Sequence, residues 1–192
     1  ETLVEYALQR LCPGDRVLDL CAGSGCIGIS LTKLGGARVC CADISEEALE
    51  VARINGRRLG CDEIEWVQSD LLEKIKEKDF DMIVSNPPYI PSEVIDGLLP
   101  EVRDHEPRLA LDGTADGLAF YRRLAAECGE YLKPGGALCL EIGYDQGEAV
   151  SGLLNAAGWE QVHVRKDAVG QDRVVSAIWR GIGQDRTEAA AK

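Results

Sequence analysis

Strand-like apolar segments alternate with segments of helical period along almost the whole chain, and this alternation restricts the fold more than any other feature. Arg16-Val17-Leu18-Asp19-Leu20 reads as a strand, and the stretch from about Cys26 to Leu34 as a helix. The unit then repeats. Arg38-Val39-Cys40-Cys41-Ala42 is a second strand, and Ser45 followed by Glu46 and Glu47 sets an N-cap and two acids at the positive end of a helix reaching about Leu59. Ala48, Leu49, Val51, Ala52 and Leu59 form its apolar stripe. Glu65 to Gln68 gives a third strand, and Phe80 to Ser85 a fourth, nearly continuous in apolar residues as a strand buried on both faces should be.

Five of the seven prolines lie between Asn86 and Asp116, an irregular stretch longer than ordinary loops. A helix from about Gly117 to Leu132 is expected to stop at Lys133-Pro134-Gly135-Gly136, ahead of a fifth strand from Ala137 to Ile142. Another helix covers about Gln146 to Ala157. The strands Glu160 to Arg165 and Arg173 to Trp179 have no helix between them and should pair as a hairpin. Right-handed crossovers then imply an α/β, Rossmann-like fold: a mostly parallel seven-stranded sheet with an antiparallel closing strand and helices on both faces. Residues 1–180 are expected to form one domain, and the polar tail 181–192 to fray.

Two broad classes are disfavoured by composition. The formal net charge of −12 repels a phosphate backbone and speaks against direct nucleic-acid binding, while a partner with a basic rim is compatible. The eight cysteines include no C-x-x-C pair and the two histidines stand apart, so no metal is expected. Cys40, Cys41 and Cys139 instead lie inside apolar runs, where a reduced thiol acts as a small hydrophobe. No apolar run reaches the roughly 18 to 20 residues of a membrane span, and the first residues carry acids where a signal peptide carries bases, so a cytoplasmic location is expected.

Gly23-Ser24-Gly25-Cys26-Ile27-Gly28 fits G-x-G-x-x-G after the first strand, with Asp43 at the end of the second. Such glycines allow a tight turn and close approach to a ligand, and Asp43 can accept both ribose hydroxyl hydrogens of an adenosine. This half alone fits a dinucleotide or S-adenosylmethionine. Asp19 favours the second, because a carboxylate there opposes a pyrophosphate but can approach a methionine ammonium. Asp70, after the third strand, falls on the adenine side with Leu71 as packing. The candidate cofactor wall thus comprises Asp19, Cys21, Gly23, Ser24, Gly25, Asp43, Ile44, Asp70 and Leu71.

Asn86-Pro87-Pro88-Tyr89 leaves the fourth strand on the same edge of the sheet, where ligands bind in open α/β sheets. The Asn86 side-chain oxygen and the Pro87 carbonyl can each accept one N–H of a planar NH₂ group. The Pro-Pro pair stiffens that backbone, and the Tyr89 ring can pack on the planar face. The tetrad is therefore the candidate catalytic and acceptor-binding element, through Asn86, Pro87, Pro88 and Tyr89.

With its D-L-x-x-G-S-G loop and N-P-P-Y tetrad, the chain resembles class I methyltransferases acting on NH₂ groups conjugated to planar systems. LVEYAL, VSNPPYIP, VRDHEPRLALDG, DGLAFYRRL, PGGALCLEIGYDQ and GQDRVV follow one another as in protein-(glutamine N5) methyltransferases of the HemK/PrmC type. That resemblance implies S-adenosyl-L-methionine as cofactor and, as substrate, the glutamine of the Gly-Gly-Gln loop of a bacterial peptide chain release factor. It also implies that Asn86 serves both ligands and that Glu106, with Pro107 and Arg108, shapes the acceptor pocket. His105 stands where the family usually has an aromatic, and Ala22 where a Thr is commoner. Glu141 is expected to give polar support rather than act as a base. Family members usually carry a small helical domain ahead of this one, so the sequence is expected to be truncated or compact. An RNA guanine-N2 or DNA adenine-N6 methyltransferase would use the same tetrad, and a dinucleotide-dependent oxidoreductase or regulatory module would use the glycines and Asp43.

Overall fold

A computed structural model describes residues 1–181, so the expected frayed tail lies, apart from Gly181, outside the described residues. The chain runs through α1 (Thr2–Leu8), β1 (Arg16–Leu20), α2 (Cys26–Gly35), β2 (Arg38–Asp43), α3 (Glu46–Arg58), β3 (Glu65–Gln68) and β4 (Phe80–Ser85). Three single turns follow, α4 (Ser92–Ile95), α5 (Pro100–Arg103) and α6 (Arg108–Leu111). The rest is α7 (Ala119–Glu127), a short 3₁₀ turn (Cys128–Tyr131), β5 (Leu132–Glu141), α8 (Gly147–Ala156), β6 (Glu160–Lys166) and β7 (Asp172–Ile178).

The seven strands lie in the order β3-β2-β1-β4-β5-β7-β6. Every neighbouring pair is parallel except the two made by β7, which runs antiparallel to both β5 and β6. Strand order reverses between β1 and β4, and at such a switch point the loops after the strands diverge and leave a crevice. The fold anticipated from the alternation is the one observed.

Alternation along each strand divides the core. Leu18, Leu20, Ile83, Leu138 and Leu140 pack on one face with Tyr121 and Leu124 of α7 and Val150 of α8. Val17, Met82, Val84 and Cys139 face the other way, against Leu3, Tyr6 and Ala7 of α1 and Leu31 of α2. Cys40, Cys41, Cys61, Cys128 and Cys139 are free and buried, as small hydrophobes. Among the described residues, no helix is long and apolar enough to cross a membrane.

Three local expectations are corrected. Lys133-Pro134-Gly135-Gly136 does not end a helix ahead of the fifth strand but lies inside β5. Leu132 already pairs with Phe80, and the register then shifts so that Ala137 pairs with Met82. The extra residues form a bulge, tied down where Gly135 N–H donates to the Trp179 carbonyl (2.7 Å) and Trp179 N–H to that of Gly136 (2.9 Å). The preceding helix tightens into the 3₁₀ turn after Glu127. In α3, Leu49 and Ala52 are buried, but Val51 is 51% exposed, and Leu59, 47% exposed, is the C-cap beyond the helix, so only a narrow part of the expected stripe meets the sheet. Ser45 is the N-cap, its Oγ accepting from Ala48 N–H at 3.2 Å.

Candidate active site

A cavity of about 530 Å³ opens at the carboxyl ends of β1, β2, β3 and β4. Cys21 and Gly23 line it after β1, Asp43 and Ile44 after β2, Asp70 and Leu71 after β3, and Asn86 and Pro88 after β4. Residues predicted from four separate stretches of sequence thus meet in one space.

Asp43 is fixed by backbone donors. Its Oδ2 accepts from Gly23 N–H at 2.8 Å and its Oδ1 from Ser45 N–H at 2.9 Å, leaving lone pairs on both oxygens for further donors. Gly23 has φ +53, a conformation that favours glycine, and a Cβ there would meet nothing within 4 Å. Gly25, at φ +79, caps α2, and a Cβ would press on Ala52 and Trp66 at 3.0 Å. Gly28 lets α2 lie against β2, since a Cβ would collide with Cys41 Sγ. Gly25 and Ser24 shape the loop from outside the cavity wall; the Ser24 carbonyl accepts from Asn55 Nδ2 at 3.0 Å.

Asp19 lies in β1 beneath that loop, fully buried and behind the cavity wall. Its Oδ2 accepts from Gly28 N–H at 2.8 Å, while Oδ1 has no partner. Burial pushes its carboxyl up to about 7, against the pull of the Gly28 N–H, and the charge of Asp43 adds to the rise. Cys21 and Leu71, both on the wall, have left-handed backbones at φ +57 and +47. Burial raises the Cys21 thiol to about 12, which keeps it neutral. Asp70 is not a free acceptor, for its Oδ1 pairs with Arg123 Nη1 at 2.7 Å.

After β4, Asn86 is exposed to the cavity and Pro88 lines it, while Pro87 and Tyr89 lie behind the wall. Burial raises the half-buried Tyr89 hydroxyl above its usual value, the Glu141 charge adds to this, and Arg173 opposes it. Burial likewise raises the Glu141 carboxyl. Glu106, expected to shape the pocket, is exposed and off the wall, which Pro107, Leu109 and Ala110 supply instead. The segment turns at α6, so its apolar side faces the cavity and its acid faces water.

Val51, Phe120 and Arg123 also line the cavity and were not anticipated. Val51 was assigned to the core stripe of α3; Phe120 and Arg123 lie at the start of α7, in a stretch that reads simply as helix. The contribution of Phe120 and Arg123 depends on the start of α7 lying beside the loop after β3, where Arg123 meets Asp70, and spacing does not encode that.

A mostly parallel seven-stranded sheet with one reversed strand, a Gly-rich turn after β1 and a carboxylate after β2 define a class I methyltransferase fold. A model of the methyltransferase small domain matches residues 2–98, and the chain belongs to that family. It is 43% identical over 188 residues to the release factor glutamine methyltransferase of Clostridium acetobutylicum, covering 95% of this chain and 66% of that protein. With the release factor glutamine methyltransferase of Caulobacter vibrioides the identity is 49%, over 84% of this chain and 57% of the relative. The chain therefore spans less than two thirds of the length of these relatives. An RNA methyltransferase of Salinibacter ruber, solved in complex with S-adenosyl-L-homocysteine, shares the fold. Its TM-score is 0.62 at 19% identity, over 96% of this chain and 95% of that one.

Proposed function

We propose that this chain transfers a methyl group from S-adenosyl-L-methionine to the side-chain amide nitrogen of the glutamine in the Gly-Gly-Gln loop of a bacterial peptide chain release factor. The observation that supports this most directly is the shared cavity, in which Asn86 faces the same space as Gly23 and Asp43. The names of relatives at 43% and 49% identity favour a glutamine acceptor, and the net charge of −12 favours a protein over a nucleic acid.

The residues fit the cofactor. Asp43 has lone pairs free for ribose hydroxyls, Gly23 leaves open space for a close ligand, and Asp19 Oδ1 is a buried acceptor lacking a donor beneath the loop. Ile44, Val51 and Phe120 offer apolar surface for a flat base, with Asp70 and Arg123 at its rim. When bound, S-adenosyl-L-methionine supplies a sulfonium methyl carbon open to in-line displacement. An amide nitrogen is a weak nucleophile, so the protein must align it and keep water away. Asn86 Oδ1 and the Pro87 carbonyl are assigned its two N–H groups, which orients the nitrogen and favours charge moving onto it. Pro88, Pro107 and Leu109 exclude water from that end. Tyr89 supports the tetrad from behind, and Glu106 is placed at the outer rim, toward the incoming protein. Residues 1–180 are assigned to the methyltransferase domain, working in the cytoplasm.

The test is methyl labelling of a release factor beside its Gln→Ala version at the Gly-Gly-Gln loop. Label is expected on the first alone. Equal labelling of both, or labelling of RNA only, would overturn the assignment.

A further inference from the structure

Outside the cavity, the amide of Gln146 is buried at the N-cap of α8, and its hydrogen bonds converge on the segment just beyond the tetrad. Gln146 Oε1 accepts from Gly143 N–H at 2.9 Å, while Nε2 donates to the carbonyls of Tyr89 at 3.0 Å and Gly117 at 3.3 Å. An N–H must meet the oxygen and two carbonyls must meet the NH₂, so this amide has only one satisfied orientation. Gly143 follows β5, Tyr89 follows β4, and Gly117 precedes α7. One side chain therefore ties together three chain segments at the acceptor end.

Two glycines close on the same backbone. A Cβ at Gly113 would come within 2.7 Å of Tyr89 Cα, and one at Gly117 would collide with the Tyr89 carbonyl oxygen. Ile90 is fastened as well: its N–H donates to the Leu111 carbonyl at 3.0 Å, and its own carbonyl accepts from Gly113 N–H at 2.8 Å. Between the carbonyls of Tyr89 and Pro87, Pro88 fixes its own φ and restricts ψ of Pro87. A hold on Tyr89 is thereby transmitted to Pro87 and Asn86.

We propose that Gln146 is a positioning residue for methyl transfer: by holding the Tyr89 carbonyl, it sets the direction in which Asn86 and the Pro87 carbonyl meet the acceptor. This rests on the proposed amide-methylating role of the tetrad. Gln146 is not on the cavity wall and has no hydrogen bond to the Gly23–Asp43 pair, so it acts through the segment it holds rather than on the cofactor's own anchors.

Gln146→Glu in the full chain keeps the side chain's size and its acceptor for Gly143, but a carboxylate has no hydrogen for the two carbonyls. A displaced tetrad should lower kcat about 10- to 100-fold, because misplacement of about 1 Å costs on that order. The KM for S-adenosyl-L-methionine and the affinity for S-adenosyl-L-homocysteine should stay within about twofold, since the Asp43 contacts are untouched. Hydrogen exchange should quicken at Tyr89 to Ser92 and not at Gly23 to Gly25. Gly113→Ala, crowding Tyr89 from another side, should give the same split.

An unchanged kcat with unchanged exchange would overturn the proposal. So would a parallel loss of S-adenosyl-L-homocysteine affinity, which would make Gln146 a general support of the fold. If the wild-type chain labels no release factor, the proposed function fails, while exchange and S-adenosyl-L-homocysteine binding still decide whether Gln146 holds the tetrad.

Discussion

The end of the cavity assigned here to the nucleoside and the end assigned to the acceptor are held in different ways. At the first, two strand carboxylates are fixed by main-chain donors: Gly23 and Ser45 N–H both point at Asp43, and Gly28 N–H at Asp19. At the second, short turns between β4 and α7 are held by a few backbone bonds, by Ser92 Oγ on Asp112 at 2.6 Å, and by Arg108 reaching Asp96 and Asp112 at 3.4 Å. Exposed ion pairs of that kind contribute about 0 to 1 kcal/mol. A small cofactor of constant shape suits the first construction, and a loop presented by another protein suits the second. Chemistry should therefore be most sensitive at the tetrad, and binding most sensitive at Asp43.

The largest effect expected is that of Asn86→Ala. Removing one oriented group from a transfer site costs about 10²- to 10³-fold in kcat. Asn86 is exposed to the cavity, so melting should be unchanged and S-adenosyl-L-homocysteine should still bind. Retained activity would remove Asn86 from the chemistry, and loss of product binding equal to the loss of rate would erase the distinction between the two ends.

Asp43→Ala tests the other end. Charge-assisted hydrogen bonds contribute about 1.5 to 3 kcal/mol, so the Kd for S-adenosyl-L-homocysteine should rise about 10- to 100-fold in calorimetry. At saturating cofactor, kcat should largely recover. A kcat that stays low at saturation would show that the nucleoside end also sets the reacting geometry.

The same contrast explains what could be read from the sequence. The strands, the glycine turn and Asp43 are local codes: a strand, a left-handed turn, a helix start and the end of the next strand follow at fixed spacing. Asn86 was legible because its strand exit is as local as the glycine turn. The cavity walls supplied by Val51, Phe120, Arg123 and Leu109 depend on which side of a helix meets which loop, and neither hydrophobic period nor motif specifies that. Glu106 was assigned a place on the wall that Leu109 takes, although the two are only three residues apart. The Pro-Gly-Gly stretch was misread for another reason: the residues that stop a helix also form a bulge, and only pairing with β4 and the Trp179 backbone selects the second.

Gly28→Ala asks how rigid the nucleoside end is. A methyl group forced against Cys41 Sγ and within 3.1 Å of Asp19 Oδ2 has no flexible neighbour to displace. Overpacking of this kind costs about 1 to 3 kcal/mol, which lowers Tm by about 2 to 12 °C in a domain of this size. Leu109→Ala, at an exposed wall residue of the acceptor end, should leave Tm almost unchanged. Equal shifts at the two positions would contradict the difference in construction.

The last expected effect is a pH dependence set by Asp19. Its carboxyl titrates near 3.8 when unfolded and at about 7 in the fold, so between those values the folded chain binds the extra proton. The stability this group contributes is fully present below about pH 4 and is lost as the pH rises through 7. Asp19→Asn removes the titration while an amide oxygen can still accept from Gly28 N–H. The Tm of the variant should therefore gain on that of the wild type between pH 5 and 8. Cofactor affinity should respond oppositely, since only the ionised Asp19 attracts a methionine ammonium. Wild-type affinity for S-adenosyl-L-homocysteine should rise across pH 7 while that of Asp19→Asn stays flat. A wild-type affinity equally flat across pH 7 would mean that Asp19 holds the loop and has no electrostatic part in binding.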